Sequence, residues 1–184
     1  GHVDHGKSTL LDFLRNSNTV ASETGGITQH VAAYEVVHTQ ADGTKKHITF
    51  IDTPGHAAFK GIRTRGVSIA DIAILVVSAE DGVKAQTVEA LESIRESGIP
   101  MVVAINKIDK STADINRTKA SLLEKGIYLE GMGGDIPFAL ISAKTGDGIP
   151  DLLDLLLLVA EMEGLTGDDT LPARGFVVEA HREA

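Results

Sequence analysis

Apolar runs rich in β-branched residues recur along the chain at His47 to Ile51, Ile72 to Val77, Pro100 to Ile105 and, more weakly, Pro137 to Ile141. They are continuous rather than alternating, which predicts strands of a parallel sheet covered on both faces. Between them the period lengthens. From Gln86 to Ser97, Val88, Leu91 and Ile94 recur at three-residue steps, Glu89, Glu92 and Glu96 fall elsewhere, and Gly98 follows. That pattern predicts an amphipathic helix closed by a glycine cap. Asn116 to Lys125, ended by Gly126, and Ile149 to Leu165, with leucines on more than one face, predict two further helices. Strands alternating with helices indicate an α/β fold with a doubly wound, mostly parallel sheet. His30 to Thr39 and Lys46 to Ile51 flank the turn signal Asp42-Gly43, which predicts one antiparallel hairpin within that sheet. Residues 1–165 thus read as one domain, residues 166–173 as a Gly/Asp-rich linker, and residues 174–184, with a strand at Arg174 to Ala180, as the start of a following domain.

Composition changes this picture little. The 184 residues suffice for one α/β domain with a substantial core, and 42% hydrophobic with 23% charged residues is ordinary for a folded globular chain. With no cysteine, disulfides and thiolate zinc sites are excluded, and a cytoplasmic or organelle-matrix setting is expected. The greasiest run, Leu152 to Ala160, is interrupted by Asp154 and too short to span a bilayer, so no membrane anchor is expected. The opening residues lack a basic region followed by an apolar stretch, so no signal peptide is read within the sequence as given, and the true start is expected upstream of Gly1. The net charge of −9 disfavours a broad nucleic-acid footprint, leaving Lys60, Arg63 and Arg65 as one local cationic cluster.

The candidate chemistry begins at the first residue. Gly1-His2-Val3-Asp4-His5-Gly6-Lys7-Ser8 fits GxxxxGK[ST], and Leu10, Leu11 and Leu14 continue it at helical spacing from Ser8 and Thr9. Glycines let successive backbone N–H groups turn inward as an anion nest, the helix N-terminus adds its positive end, and the lysine reaches the β- and γ-phosphates. Ser8 would ligate Mg²⁺. In this fold such a loop follows a central strand, which the sequence as given does not contain.

Three more strings follow predicted strands, where a doubly wound sheet presents its ligands. In Asp52-Thr53-Pro54-Gly55, Asp52 can hold Mg²⁺ through water and Gly55 can offer an N–H to the γ-phosphate. In Asn106-Lys107-Ile108-Asp109, the Asp109 carboxylate can accept from N1–H and the exocyclic amine of guanine, a donor pair adenine lacks. Complementarity of that kind discriminates by about 10⁴-fold. It also disfavours an ATP-using P-loop kinase. Ser142-Ala143-Lys144 would close over the base, with the Ala143 N–H meeting guanine O6. Each string is short, and their order along one chain gives them force: the set predicts a site for GTP or GDP.

On these residues the chain resembles the G domain of the translational GTPase family. Gly1 to Ser8, Asp52-Thr53-Pro54-Gly55-His56 and Asn106 to Asp109 carry the general likeness. Gly25-Gly26-Ile27-Thr28-Gln29-His30, Gly55-His56-Ala57-Ala58-Phe59 and Arg63 to Gly66 carry a narrower one, to the bacterial-type initiation factor 2 branch. The compact segment between Thr28 and Asp52 looks bacterial or organellar, and Ser8 stands where many members have threonine, with the hydroxyl retained. The resemblance implies that Thr28 contributes a Mg²⁺ ligand and a γ-phosphate contact in the GTP state. It implies that His56 orients the attacking water, and that Val3 and Ile27 gate access of that histidine. It further implies GTP hydrolysis activated by the large ribosomal subunit, with Lys60, Arg63 and Arg65 near ribosomal RNA phosphates. Initiator tRNA contacts would lie in later domains, a β-barrel following directly, and the G domain itself would be monomeric. No arginine finger is identifiable, so intrinsic hydrolysis is expected at about 10⁻⁴ to 10⁻² s⁻¹. Hydrolysis that times a step of initiation, and GTP-gated binding with hydrolysis as disposal, both remain open here.

Overall fold

A computed structural model describes residues 1–17, 32–52, 69–167, 170–172, 175 and 177. The continuous apolar runs form strands β3 (Ala73–Ser78), β4 (Met101–Asn106) and β5 (Phe138–Leu140), parallel and in the order β3-β4-β5. Successive side chains leave a strand on opposite faces, and both faces here are buried. Leu75, Val77, Val103 and Ile105 enter one core cluster with Leu91 and Ile94, while Val76, Val102 and Ala104 enter a second with Leu10, Leu14, Leu152 and Leu156. This two-sided burial is why the strands read as unbroken apolar runs.

Helix α1 (Lys7–Ser17) follows the phosphate loop and buries Leu10 and Leu14. Helix α2 (Ala85–Ser97) ends on Gly98, whose φ of 70° supplies the left-handed cap expected there. Helix α3 (Ile115–Leu123) starts on Asp114, whose carboxylate accepts from the Arg117 N–H at 2.9 Å. Helix α4 (Ile149–Met162) has a proline in its first turn and buries Leu152, Leu153, Leu156 and Val159.

The hairpin forms as expected, with β1 (Ala32–Thr39) antiparallel to β2 (Lys45–Asp52). Gly43 at φ 85° and the Asp42 carboxylate, which accepts from the Thr44 N–H at 2.8 Å, shape its turn. It is not hydrogen-bonded into the parallel sheet but makes a sheet of its own among the described residues. Between β2 and β3 lies a cleft walled by Ile48, Phe50, Ile74 and Val76 and floored by Leu10 and Leu156, where the strand expected ahead of the phosphate loop would fit. His38 on β1 reaches across to Asp154 on α4 at 2.7 Å. The expected strand Arg174 to Ala180 lies mostly outside the described residues, and the described part of 166–173 is exposed and neither helical nor extended. Among the described residues no helix is long and apolar enough to cross a membrane.

Candidate nucleotide site

The phosphate loop has the backbone its glycines predict. Asp4 at φ 64° and Gly6 at φ 87° are left-handed, and α1 opens at Lys7 with its N-terminus toward the loop. Turned peptides of this kind direct N–H groups to one side, which together with a helix N-terminus makes an anion cradle. Gly6 is required twice over, because a Cβ there would also run into the Asn106 side-chain nitrogen. The Lys7 ammonium donates to the Gly1 carbonyl at 3.0 Å and the His2 carbonyl at 2.8 Å, so the cation is held across the loop. Ser8 and Thr9 are exposed at the helix start.

Beneath the loop lies His5, fully buried beside the Val76 backbone. Burial, and next the neighbouring His2, push its imidazole down to about 4, so it is neutral at physiological pH. The two rings meet edge to face at 5.0 Å.

Asn106, 1% exposed at the end of β4, braces this loop against the segment after β5. Its amide nitrogen donates to the His5 carbonyl at 2.8 Å and its oxygen accepts from the Ala143 N–H at 2.9 Å. The Ala143 N–H, expected to meet guanine O6, donates here to that buried amide oxygen, which needs a donor. Asp109, expected to select the base, is oriented by its neighbours. Its carboxylate accepts from the Ser142 hydroxyl at 2.7 Å, and Ser142 is held in turn by the Thr145 N–H at 3.2 Å. That hydroxyl, with help from Lys110 and Lys144, holds the Asp109 carboxyl below its ordinary value, so it is an acceptor at neutral pH. Lys107, between Asn106 and Asp109, has φ 67°, a strained value for a side-chain-bearing residue and one that clusters at functional sites. Lys144 is exposed beside them.

Asp52, 7% exposed at the end of β2, lines the same cleft as Gly1 and Lys7. No group of three or more His, Cys, Asp or Glu side chains that could hold a metal occurs among the described residues. The Ser8 hydroxyl, exposed at the start of α1, and the Asp52 carboxylate, at the end of β2, offer oxygen donors only. Such a sparse set fits a hard cation that takes its remaining ligands from phosphate and water.

Ile27, Thr28, Gly55, His56 and the cluster Lys60, Arg63 and Arg65 lie outside the described residues. Other residues about the site escaped the sequence reading. Gln86, on the first turn of α2, accepts the Val3 N–H at 2.9 Å. Glu80, from the loop after β3, lies 3.4 Å from the Lys107 ammonium and accepts from the Thr112 hydroxyl in the loop after β4. The signal that marks Glu80 is its position just past a strand end, where this architecture gathers ligands.

Comparison with known proteins agrees with this geometry. The chain is 52% identical over 180 residues to translation initiation factor IF-2 of Carboxydothermus hydrogenoformans, covering 98% of this chain and 21% of that protein. It is 47% identical to the chloroplastic IF-2 of Pyropia yezoensis, covering 98% of this chain and 23% of the relative. The chain thus spans only about a fifth of the length of these relatives. Among solved structures, GDP-bound aIF5B from Aeropyrum pernix superposes with a TM-score of 0.60 at 36% identity, covering 88% of this chain and 35% of that one. Elongation factor SelB from Methanococcus maripaludis, in complex with the GTP analogue GppNHp, gives 0.65 at 28% identity, covering 88% and 32%. The family model of the elongation factor Tu GTP binding domain matches residues 1–162. That match takes in every element from the phosphate loop to the end of α4, and the chain belongs to the elongation factor Tu GTP binding domain family.

Proposed function

We propose that this GTP-binding domain is the GTP-hydrolysing switch of a translation initiation factor, activated by the ribosome and acting in subunit joining and initiator tRNA placement. The observation that carries the guanine-nucleotide part is the Ser142-oriented, ionised Asp109 set beside a phosphate loop braced by Asn106. The initiation part rests on the likeness to the initiation factors over 98% of the chain. In this reading residues 1–165 form the G domain, 166–173 a linker and 174–184 the start of a β-barrel, with tRNA contacts in further domains. The factor would act in the cytoplasm or an organelle matrix.

The backbone N–H groups of the loop and the Lys7 ammonium bind the β- and γ-phosphates, while Asp109 and Lys107 hold the base. Ser8, Thr28 and Asp52 would hold Mg²⁺, which when bound offsets phosphate charge. His56 orients a water whose oxygen bonds to the γ-phosphorus in line with the bridging oxygen. The bond from that phosphorus to the bridging oxygen breaks, its electron pair leaves on GDP, and the water's protons pass to phosphate and solvent. Gly55 and Thr28 sense the γ-phosphate through interactions that end when it departs, and Val3 and Ile27 gate the approach of His56. Lys60, Arg63 and Arg65 would contact ribosomal RNA.

The test is GTP turnover by the full-length factor with and without ribosomes, for the natural protein and His56→Ala. Loss of ribosome-stimulated turnover with GTP binding intact is expected. Unchanged turnover in His56→Ala contradicts the catalytic assignment.

A further inference from the structure

A set of contacts beside the nucleotide site has no place in the reading above. The Glu80 carboxylate, just past the end of β3, accepts from the Thr112 hydroxyl and lies 3.4 Å from the Lys107 ammonium. Its own N–H is fixed on the Ser78 hydroxyl at 3.2 Å, and Ser78 is fully buried. The loops after β3 and β4 are joined by backbone as well: Ala79 donates to the Asn106 carbonyl at 2.8 Å, and Asp114 donates to the Ala79 carbonyl at 2.8 Å. The carboxylate is therefore anchored at both ends. The Thr112 hydroxyl first, and then Lys107, keep Glu80 below its ordinary pKa, so it is a standing negative charge.

Lys107 is the residue whose freedom matters here. Its backbone is held in the left-handed region between Asn106, which braces the phosphate loop, and Asp109, which selects the base. A lysine carries four methylenes, and an ammonium tethered at one end turns that stem from a mobile chain into a fixed apolar wall. Each side of the Glu80 and Lys107 pair is about one quarter exposed, so the tether is partly shielded from solvent.

We propose that Glu80, clamped by Thr112, is a positioning residue for guanine nucleotide: it fixes the ammonium of Lys107 so that the lysine stem is pre-set against the nucleoside. The proposal rests on the nucleotide-site reading and deepens it. Pre-setting the stem removes an ordering cost from binding, so loss of the tether speeds nucleotide release and leaves the choice of base to Asp109.

The experiment is stopped-flow release of a fluorescent GDP analogue from the full-length factor, for the natural protein, Glu80→Gln, Thr112→Val, Lys107→Met and the double variant Glu80→Gln with Lys107→Met. Glu80→Gln is expected to speed release about twofold to fivefold, with a smaller gain for Thr112→Val. In the Lys107→Met background Glu80→Gln adds nothing, because the group it positions is gone. An unchanged rate in Glu80→Gln, or an equal acceleration in both backgrounds, overturns the proposal; the second result assigns Glu80 a merely structural part. Should Lys107→Met bind too weakly to measure, ionic strength serves instead: release from the natural protein is then more salt-sensitive than release from Glu80→Gln, and equal sensitivity overturns the proposal. Failure of the natural protein to bind the GDP analogue overturns the nucleotide-site reading itself.

Discussion

Asn106 donates from its side-chain nitrogen to the carbonyl of His5 at 2.8 Å, joining the end of β4 to a loop 101 residues away in sequence. With its oxygen on the Ala143 N–H, one buried amide holds the phosphate loop and the segment after β5 in register. Asn106→Ala leaves a buried carbonyl and a buried N–H without partners. Leaving such groups unpaired costs about 1–3 kcal/mol each. The expected outcome is a lowered urea midpoint with unchanged denaturant slope, and weaker binding of GDP. A midpoint within error of the natural protein contradicts the bracing role.

Gly6→Ala asks for a Cβ where the Asn106 amide already sits, at a φ of 87°. The strain from the backbone alone is about 1–3 kcal/mol, and the steric conflict pushes the loop and Asn106 apart. GDP binding should be lost by isothermal calorimetry while the circular dichroism spectrum is retained. Binding at natural affinity would show that the loop tolerates a side chain there.

How much of this was legible from the chain depends on the range of the interaction. The Gly98 cap, the Asp42-Gly43 turn and the unbroken apolar runs of β3 and β4 are local chemistry, and each was readable where it stands. The order of the phosphate loop, Asp52, Asn106 to Asp109 and Ser142 to Lys144 was readable too, because strand ends gather ligands in this architecture. The partner of each buried polar group was not. That Ala143 N–H meets Asn106, that Gln86 takes the Val3 N–H and that Glu80 reaches Lys107 are facts of chain packing across 37, 83 and 27 residues.

His5 makes stability depend on pH. Its folded imidazole titrates at about 4, against 6.5 for an unperturbed histidine. Between those values the unfolded chain binds the extra proton, so this residue's contribution is full above about pH 6.5 and is lost as the pH falls toward about 4. The loss is on the order of 1–3 kcal/mol. Urea midpoints at about pH 7 and about pH 5 should therefore differ more for the natural protein than for His5→Asn. An equal drop in both would place the acid sensitivity elsewhere.

The central claim is that Asp109, ionised and aimed by Ser142, reads guanine. Ser142→Ala removes the aiming hydroxyl and should weaken GDP binding about tenfold without changing the preferred base, a charge-assisted hydrogen bond being worth about 1.5 kcal/mol.

The most direct measurement is competition among GTP, ATP and xanthosine triphosphate for the natural protein and for Asp109→Asn. The natural protein is expected to prefer GTP over both others by about 10⁴-fold or more, and Asp109→Asn to lose GTP while gaining xanthosine triphosphate, whose base presents an acceptor where guanine has its amine. Retention of full GTP preference in Asp109→Asn would contradict the account.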